Sequence, residues 1–182
     1  ADGATSSFNE FYGAANIKHI VASGGSTTTS GNYKFHYFTS SGTFSVSQGG
    51  VGGSAYTTVD YIIIAGGGAG GYGGTFSGAG GGGAGGYLTG TFTASSALTK
   101  TITVGGGGSD SGSNTVRGGN GSDSSISGVA TSTGGGGGGS GGGSSVNAYN
   151  NGANGGSGGG ASGAAQYFTL YDEVEDNYEN LT

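Results

Sequence analysis

The chain has 182 residues, of which 50 are glycine, and its formal net charge is −6 with only four basic residues. So few basic residues leave nucleic-acid binding without its main electrostatic attraction, and the absence of Cys excludes disulfides and thiolate chemistry. Leu, Ile, Val and Phe together number 28, which at about 15% of the chain is below the share of roughly 20% usual for a globular core. We therefore expect order to come from backbone hydrogen bonding and from assembly into a homo-oligomer, with a trimer as the leading expectation.

Residues 1–31 are predicted to form an N-terminal connecting segment. Ser7 and Glu10 have the spacing of a capping box, which predicts a short helix or turn over residues 7–14. Residues 17–21 predict a brief strand, and the Ser, Thr and Gly residues of 22–31 predict a linker. Because the sequence begins at Ala1 and contains no Met, we expect it to be processed or to be part of a longer chain.

Two alternating stretches come next. Residues 33–39 place Tyr33, Phe35 and Tyr37 on one face of a strand and the residues between them on the other. Residues 43–47 alternate again after a Ser-Gly turn signal, so residues 33–47 predict a β-hairpin. The most apolar run, residues 59–65, shows no alternation and contains three successive isoleucines, which predicts the central strand of a sheet, buried on both faces.

A glycine tract follows directly, with 14 glycines in residues 66–86. Counting by three from Gly66 places Ala69, Tyr72 and Thr75 in one frame, and Ala84 and Tyr87 fall in the same frame. A period of three is that of polyproline II, whose extended backbone leaves every N–H and C=O free to bond with neighbouring segments. We expect this tract to be an ordered extended segment, the alternative being a flexible Gly/Ser linker.

Residues 87–93 and 99–104 predict a second hairpin. With the earlier strands they make residues 32–108 a β domain with an embedded glycine tract, in which Tyr, Phe and Ile point inward. The predicted fold class is all-β: a small antiparallel sheet or sandwich with polyglycine II-like segments and no sizeable helix. Further Gly/Ser-rich tracts fill residues 109–166, either as loops or as more extended segments packed beside the first. Residues 167–182 predict a last strand and a solvated acidic tail.

No pattern in the sequence predicts catalysis or cofactor binding. Gly-x-Gly-x-x-Gly spacings occur by chance at this glycine content, and the two histidines have no further ligands for zinc. Residues 118–123 are similar to the start of a calcium-binding repeat, but the unit is not repeated, so we expect no metal site at Asp110 or Asp123. No run reaches the ~18 apolar residues of a membrane span. We expect a protein that is not an enzyme, with no cofactor, no nucleic-acid partner and no membrane span.

Several blocks in a fixed order resemble the glycine-rich domain of bacteriophage tail-fibre and other virion proteins. The blocks are FTSSGTFSV at 38–46, VDYIIIAGGGAGG at 59–71, GGAGGYLTG at 82–90 and TITVGG at 101–106, and residues 7–14 are similar to a segment that precedes such domains. The resemblance covers residues 7–108, and the acidic tail lies outside it. It implies a trimeric protein on the virion surface that joins other virion proteins through its N-terminal segment and attaches to a host glycan or protein.

If the chain is an attachment protein, recognition is expected in the varied segments between the glycine tracts. The richest is 144–151, where Tyr149, Asn150 and Asn151 combine a ring with amides that donate and accept hydrogen bonds. An Asn-Gly turn at 151–152 is the structural alternative, and Tyr72 and Phe76 are the next candidates. Two other functions stay open: a capsid-decorating or other structural coat or matrix protein, and an ice- or carbohydrate-binding module.

Overall fold

The computed structural model describes residues 17–74, 77–141 and 149–163. The predicted all-β class is confirmed, because antiparallel strands dominate these ranges and the helix within them spans only four residues. The elements in chain order are β1 (Val21–Ser23), β2 (Ser26–Ser30), β3 (Tyr33–Tyr37), β4 (Gly42–Gln48), α1 (Ser54–Thr57), β5 (Thr58–Ile64), β6 (Tyr87–Thr93), β7 (Leu98–Thr103), β8 (Ser124–Ile126) and β9 (Ala130–Ser132). No described helix has the length and apolar character needed to cross a membrane.

Two of the sheets face each other across a small apolar core. The larger has five strands in the order β1-β4-β7-β8-β9, and the smaller is the pair β5–β6. Phe44 of β4 meets Phe92 of β6 edge to face, with ring centroids 6.3 Å apart, a favourable arrangement for aromatic rings. Val46 and Ala94 complete the buried cluster. This core contains no residue of the glycine-rich stretches, residues 66–86 and 105–163.

The hairpin predicted over residues 33–47 is wrong. Strand β3 pairs with β2, in the stretch predicted to be a linker, while β4 pairs with β1 and β7. The β2–β3 turn has only two central residues, and the first, Gly31, has φ +57°. A two-residue turn with glycine in this conformation matches the twist of the flanking strands, which explains why β2 and β3 pair.

The second predicted hairpin and the predicted central strand are also wrong. Strand β6 pairs with β5, whereas β7 pairs with β4 and β8. Strand β5 therefore has one partner and one covered face: Ile63 is buried, but Ile62 and Ile64 are 64% and 65% exposed. Three successive isoleucines alternate across the sheet, and in the described chain nothing covers the outer face.

The glycine-rich segments form a bundle of extended chains that continues from the strands of the two facing sheets. Seven segments contribute, numbered as tracts in chain order: tract 1 (65–74), tract 2 (77–86), tract 3 (105–110), tract 4 (118–123), tract 5 (133–141), tract 6 (149–153) and tract 7 (157–163). Tracts 1 and 2 are antiparallel, with N–H···O bonds at 65–86, 68–83 and 71–80. The bonds recur every third residue, which is the period predicted for this tract.

Tract 5 is the axis of this bundle. Its N–H groups point in three directions with a period of three: residues 135, 138 and 141 donate to tract 1, and residues 136 and 139 donate to tract 7. In the third direction, Gly134 and Gly137 donate to the side-chain oxygens of Asp123 and Asn120, each at 2.9 Å. Three-fold radiation of backbone bonds is the geometry of a polyglycine II lattice.

Burial along tract 5 explains why its residues 134–139 are all glycine. Residues 134–141 are all buried, the longest buried run in the described chain. A Cβ added at any position from 134 to 139 would overlap a backbone oxygen of a neighbouring tract. The tracts approach this closely because glycine has no side chain, and their backbone groups satisfy one another.

The two glycine-rich parts of the chain are interleaved with the sheets. Strands β8 and β9, from residues 109–166, extend the five-stranded sheet next to β7. Of the two interpretations left open for this region, extended segments packed beside the first tract are the ones observed.

The boundaries at 31, 108 and 166 stay predictions. The expected helix or turn over 7–14 and the expected strand after 166 lie outside the described residues.

Candidate functional site

The bundle has a free end, here called the tip, on the side remote from the sheets. Tract 1 leaves β5 and tract 2 returns to β6, so residues 74 and 77, at which these tracts end and begin, lie at the far end. Tracts 3 and 4 leave β7 and return to β8 in the same way, and tract 5 leaves β9 before tract 6 returns. The described part of the tip therefore consists of the ends of tracts 1, 2, 5 and 6 and of residues 111–117, which connect tracts 3 and 4.

One buried side chain forms hydrogen bonds with several of these segments. Ser140, with no exposed surface, is the only residue other than glycine in residues 134–143. Its hydroxyl accepts the N–H of Tyr72 at 2.7 Å and donates to the carbonyl of Val116. Its own N–H donates to the carbonyl of Tyr149 at 2.8 Å. A single serine thus bonds to the backbone of tract 1, of the segment 111–117 and of tract 6.

The side chains of these three partners point to solvent. Tyr72 is 46% exposed, Val116 50% and Tyr149 44%. Because the backbone of each is bonded to the same residue, Tyr72, Val116 and Tyr149 lie around Ser140 at the tip, and we call these three residues the tip cluster. The cluster combines two phenol rings with one aliphatic group on a scaffold whose backbone is already ordered.

The predicted site residues have different positions in this arrangement. Tyr72 and Tyr149 come together in the tip cluster, although 77 residues separate them in sequence. Asn151 is exposed beside them, whereas Asn150 is 5% exposed, and its carbonyl accepts the N–H of Ser162 at 2.8 Å. Asn150 therefore lies within the bundle. Phe76 and residues 144–148 lie outside the described residues.

The structural alternative for this segment was a turn at residues 151–152. The chain turns and bends at residues 149–151, which include the first residue of this predicted turn, and it bends again at 155–157, where tract 7 begins. The bonds Ser162 N–H to Asn150 O and Gly159 N–H to Ala153 O join the two tracts. Asn-Gly occurs at 154–155 as well, where it leads into the second bend.

Sequence reasoning missed Ser140 and Val116. The signal for Ser140 was its position as a lone interruption in ten residues of glycine. A hydroxyl there replaces the backbone partner that a close-packed lattice supplies elsewhere. Val116 carried no comparable signal, because a single valine in a polar connection is uninformative until its neighbours are known.

The charged groups of the described chain do not form a metal site. No group of three His, Cys, Asp or Glu residues is placed to hold an ion within the described ranges. Asp110 is the last residue of tract 3, at the tip, whereas Asp123 lies at the opposite end of tract 4 and accepts the N–H of Gly134. The two candidate calcium ligands are therefore far apart along the bundle.

Comparison with known proteins identifies the architecture at family level. A family model described as a glycine-rich domain matches residues 39–170, which is more than half of the chain. Searches of curated proteins and of solved structures found no match. The matched range contains strands β4 to β9 and all seven tracts, and the chain therefore belongs to the glycine-rich domain family.

Proposed function

We propose that this chain is the glycine-rich part of a bacteriophage tail fibre or related surface adhesin, and that it contacts the host through the tip cluster. The observation that carries the proposal is the convergence of Tyr72, Val116 and Tyr149 on buried Ser140. The ordered sequence blocks at 38–106 support a virion protein. A structural coat protein offers no reason for three exposed apolar side chains held together at one end.

The tip suits recognition for physical reasons. Its backbone is bonded into the lattice before any ligand arrives, so binding costs little conformational entropy. Phenol rings supply apolar area and a hydroxyl in one rigid group, which is why tyrosine is common in natural recognition loops. The exposed amide of Asn151 adds a donor and an acceptor beside them. A glycan or protein of the host surface is the ligand class that this chemistry fits.

The proposal also includes self-association into a homotrimer on the virion surface. Only five apolar residues of the described chain are buried. On the outer face of the β5–β6 pair, Ile62, Ile64 and Tyr87 are 64–67% exposed. Burying them against other copies would extend a core that is small for this length. Sedimentation of the purified chain at micromolar concentration tests this part, and a stable monomer would contradict it.

Competition for adsorption tests the attachment role. Excess purified chain is expected to block adsorption of the parent particles to host cells. The double variant Tyr72→Ala/Tyr149→Ala should block about tenfold less well, because removing two central rings costs ~1.4 kcal/mol or more. Val116→Ala should weaken blocking, whereas Val51→Ala, an exposed valine beside the sheets, should not.

Each other outcome of this assay has a defined meaning. Full blocking by the double variant would move the host contact away from the tip. A wild-type chain that is folded but blocks nothing would contradict the attachment role. Antibody labelling of particles then separates the remaining assignments: label on fibres supports a fibre component, and label on the shell supports the capsid-decorating alternative.

A further inference from the structure

We propose that the outer face of the β2–β3 hairpin is a separate binding site for an uncharged oligosaccharide. The site consists of an aromatic row on β3, a hydroxyl row on β2 and the cavity that adjoins them. It does not depend on the proposed host attachment at the tip, since it lies beside the sheets and its argument uses other residues.

The aromatic row consists of Tyr33, Phe35 and Tyr37, which are 66%, 42% and 53% exposed. Neighbouring ring centroids lie 6.4 Å and 6.2 Å apart, and the planes of Phe35 and Tyr37 differ by only 20°. Rings at every second residue of a strand form a continuous apolar strip. The sequence predicted that these three share a face, which is observed, but that face points to solvent rather than inward.

Hydroxyl groups line this strip on its β2 side. The strand register places Ser26 opposite Tyr37, Thr28 opposite Phe35 and Ser30 opposite Tyr33. Residues directly opposite in an antiparallel pair project from the same face. Every aromatic ring therefore has a small hydroxyl side chain beside it, and all six residues are exposed.

The opposite face of the hairpin attaches it to the sandwich. His36 packs edge to face on Phe44, with centroids 5.1 Å apart, and its Nδ1 lies 2.7 Å from the carbonyl of Gly24. Lys34 donates from Nζ to the carbonyl of Ala22 at 3.1 Å. The two basic side chains of β3 thus point toward the body of the protein, so the aromatic face carries no charge.

A cavity of about 280 Å³ continues the strip at its Tyr37 end. Ser26 and Tyr37 belong to both, and Thr39, Ser40, Ser41 and Thr43 also line it. Ser41 Oγ accepts the N–H of Val104 at 3.0 Å, which fixes the oxygen and leaves its proton free to donate. The volume is near the lower end of ~300–1,000 Å³ for small-ligand pockets, so it suits one terminal sugar ring.

An uncharged oligosaccharide is the occupant that fits these features. The C–H faces of a sugar stack on aromatic rings, and its hydroxyls both donate and accept, as those of serine and threonine do. A protein partner fits less well. Three rings exposed to this degree offer about 300 Å² of apolar area, from ~150–250 Å² for each buried ring. A stable protein interface needs about 800 Å² on each partner.

Titration of the isotope-labelled full chain, followed by amide chemical shifts, tests the site. The probes are cellotetraose, chitotetraose, maltotetraose and mannotetraose, with tetragalacturonate as a charged comparison. We expect at least one neutral tetrasaccharide at millimolar concentration to shift the amides of residues 26–43. Phe35→Ala should weaken that binding about tenfold, whereas Phe35→Tyr, which retains the ring, should bind within about twofold of wild type.

Matched variants separate this site from the tip and from nonspecific effects. Tyr87→Ala removes a tyrosine that is 67% exposed on another sheet, and it should bind the sugar as wild type does. The double variant Tyr72→Ala/Tyr149→Ala should also bind normally, so a failure of the tip proposal leaves this result unchanged. Unaltered amide shifts far from the substituted residue show that each variant is folded.

Three outcomes would overturn the assignment. The first is the absence of any shift at residues 26–43 with all four neutral probes. The second is a response to tetragalacturonate alone, which would point to a charged ligand. The third is concentration-dependent self-association that Phe35→Ala abolishes while no sugar binds, which would make a second copy of the chain the occupant.

Discussion

Substitution of Gly137 by alanine probes the packing at the bundle axis. Gly137 lies in tract 5, and an added Cβ would overlap the carbonyl oxygen of Gly118 in tract 4. Backbone atoms cannot rotate away as a side chain does, so tract 4 has to move. The displacement stretches the bonds from Gly118 N–H to Gly138 O and from Gly121 N–H to Gly135 O, both 2.9 Å long.

The cost follows from these two effects. Overpacking of a dense interior costs about 1–3 kcal/mol, and each buried backbone group left without its partner costs about 1–3 kcal/mol. One overlap and one lost bond together give roughly 2–6 kcal/mol, a large fraction of a typical stability of ~5–15 kcal/mol. In a chain of this length 1 kcal/mol changes Tm by about 2–4 °C. We expect Gly137→Ala to lower Tm by about 4–24 °C.

Gly106→Ala and Gly81→Ala are the matched controls. A Cβ at either position meets nothing within 4 Å, and neither glycine has a positive φ. Alanine there restricts the unfolded chain without strain, so the free energy of unfolding should rise by about 0.4–1 kcal/mol. Thermal unfolding followed by circular dichroism compares the three variants. Equal Tm values for Gly137→Ala and wild type would refute the close packing of tract 5.

Three further substitutions have expected outcomes. Ser140→Ala leaves the N–H of Tyr72 without its acceptor; it should cost about 1–3 kcal/mol and speed amide exchange at Tyr72, and unchanged exchange there would contradict the role of the hydroxyl. Asn120→Ala should cost about 1 kcal/mol in denaturant unfolding, because Gly137 loses a bond of 2.9 Å, whereas Asn120→Asp keeps an acceptor and should cost less than half as much. Gly31→Ala strains a residue at φ +57°; it should cost about 1–2 kcal/mol and reduce amide protection in β2 and β3, and unaltered protection would be inconsistent with the two-residue turn.

The sequence predicted the local structure of the tracts better than the pairing of the strands. The three-residue frame from Gly66 was visible because Ala69 and Tyr72 interrupt the glycines at the lattice period. Alternation in residues 33–37 predicted correctly which side chains share a face. Both are properties of a single segment, and the spacing of side chains along that segment records them.

Pairing and burial depend on other parts of the chain, so the same patterns did not predict them. The prediction of a hairpin over 33–47 was wrong because Gly31 allows the tight two-residue turn between β2 and β3. The prediction had instead paired two neighbouring alternating stretches, 33–39 and 43–47, across a longer loop. Strand β5 was taken as central from its isoleucines, although its position depends on how many partners are available. Tract 5 is the true axis, and as a run of glycine it has no side chains to mark a buried face. The proximity of Tyr72 and Tyr149 was not predicted either, because both residues reach Ser140 only through the packing of tracts 1, 5 and 6.

Residue-specific amide hydrogen exchange of the full chain tests the central claim, which is that the glycine tracts form an ordered lattice around tract 5. The N–H groups of residues 134–141 are buried and bonded to tracts 1, 4, 6 and 7. We predict that these eight consecutive amides exchange more slowly than those of the two-stranded β5–β6 sheet, since they open only when the bundle unfolds. Exchange of residues 134–141 at the rate of an unstructured peptide would contradict the account.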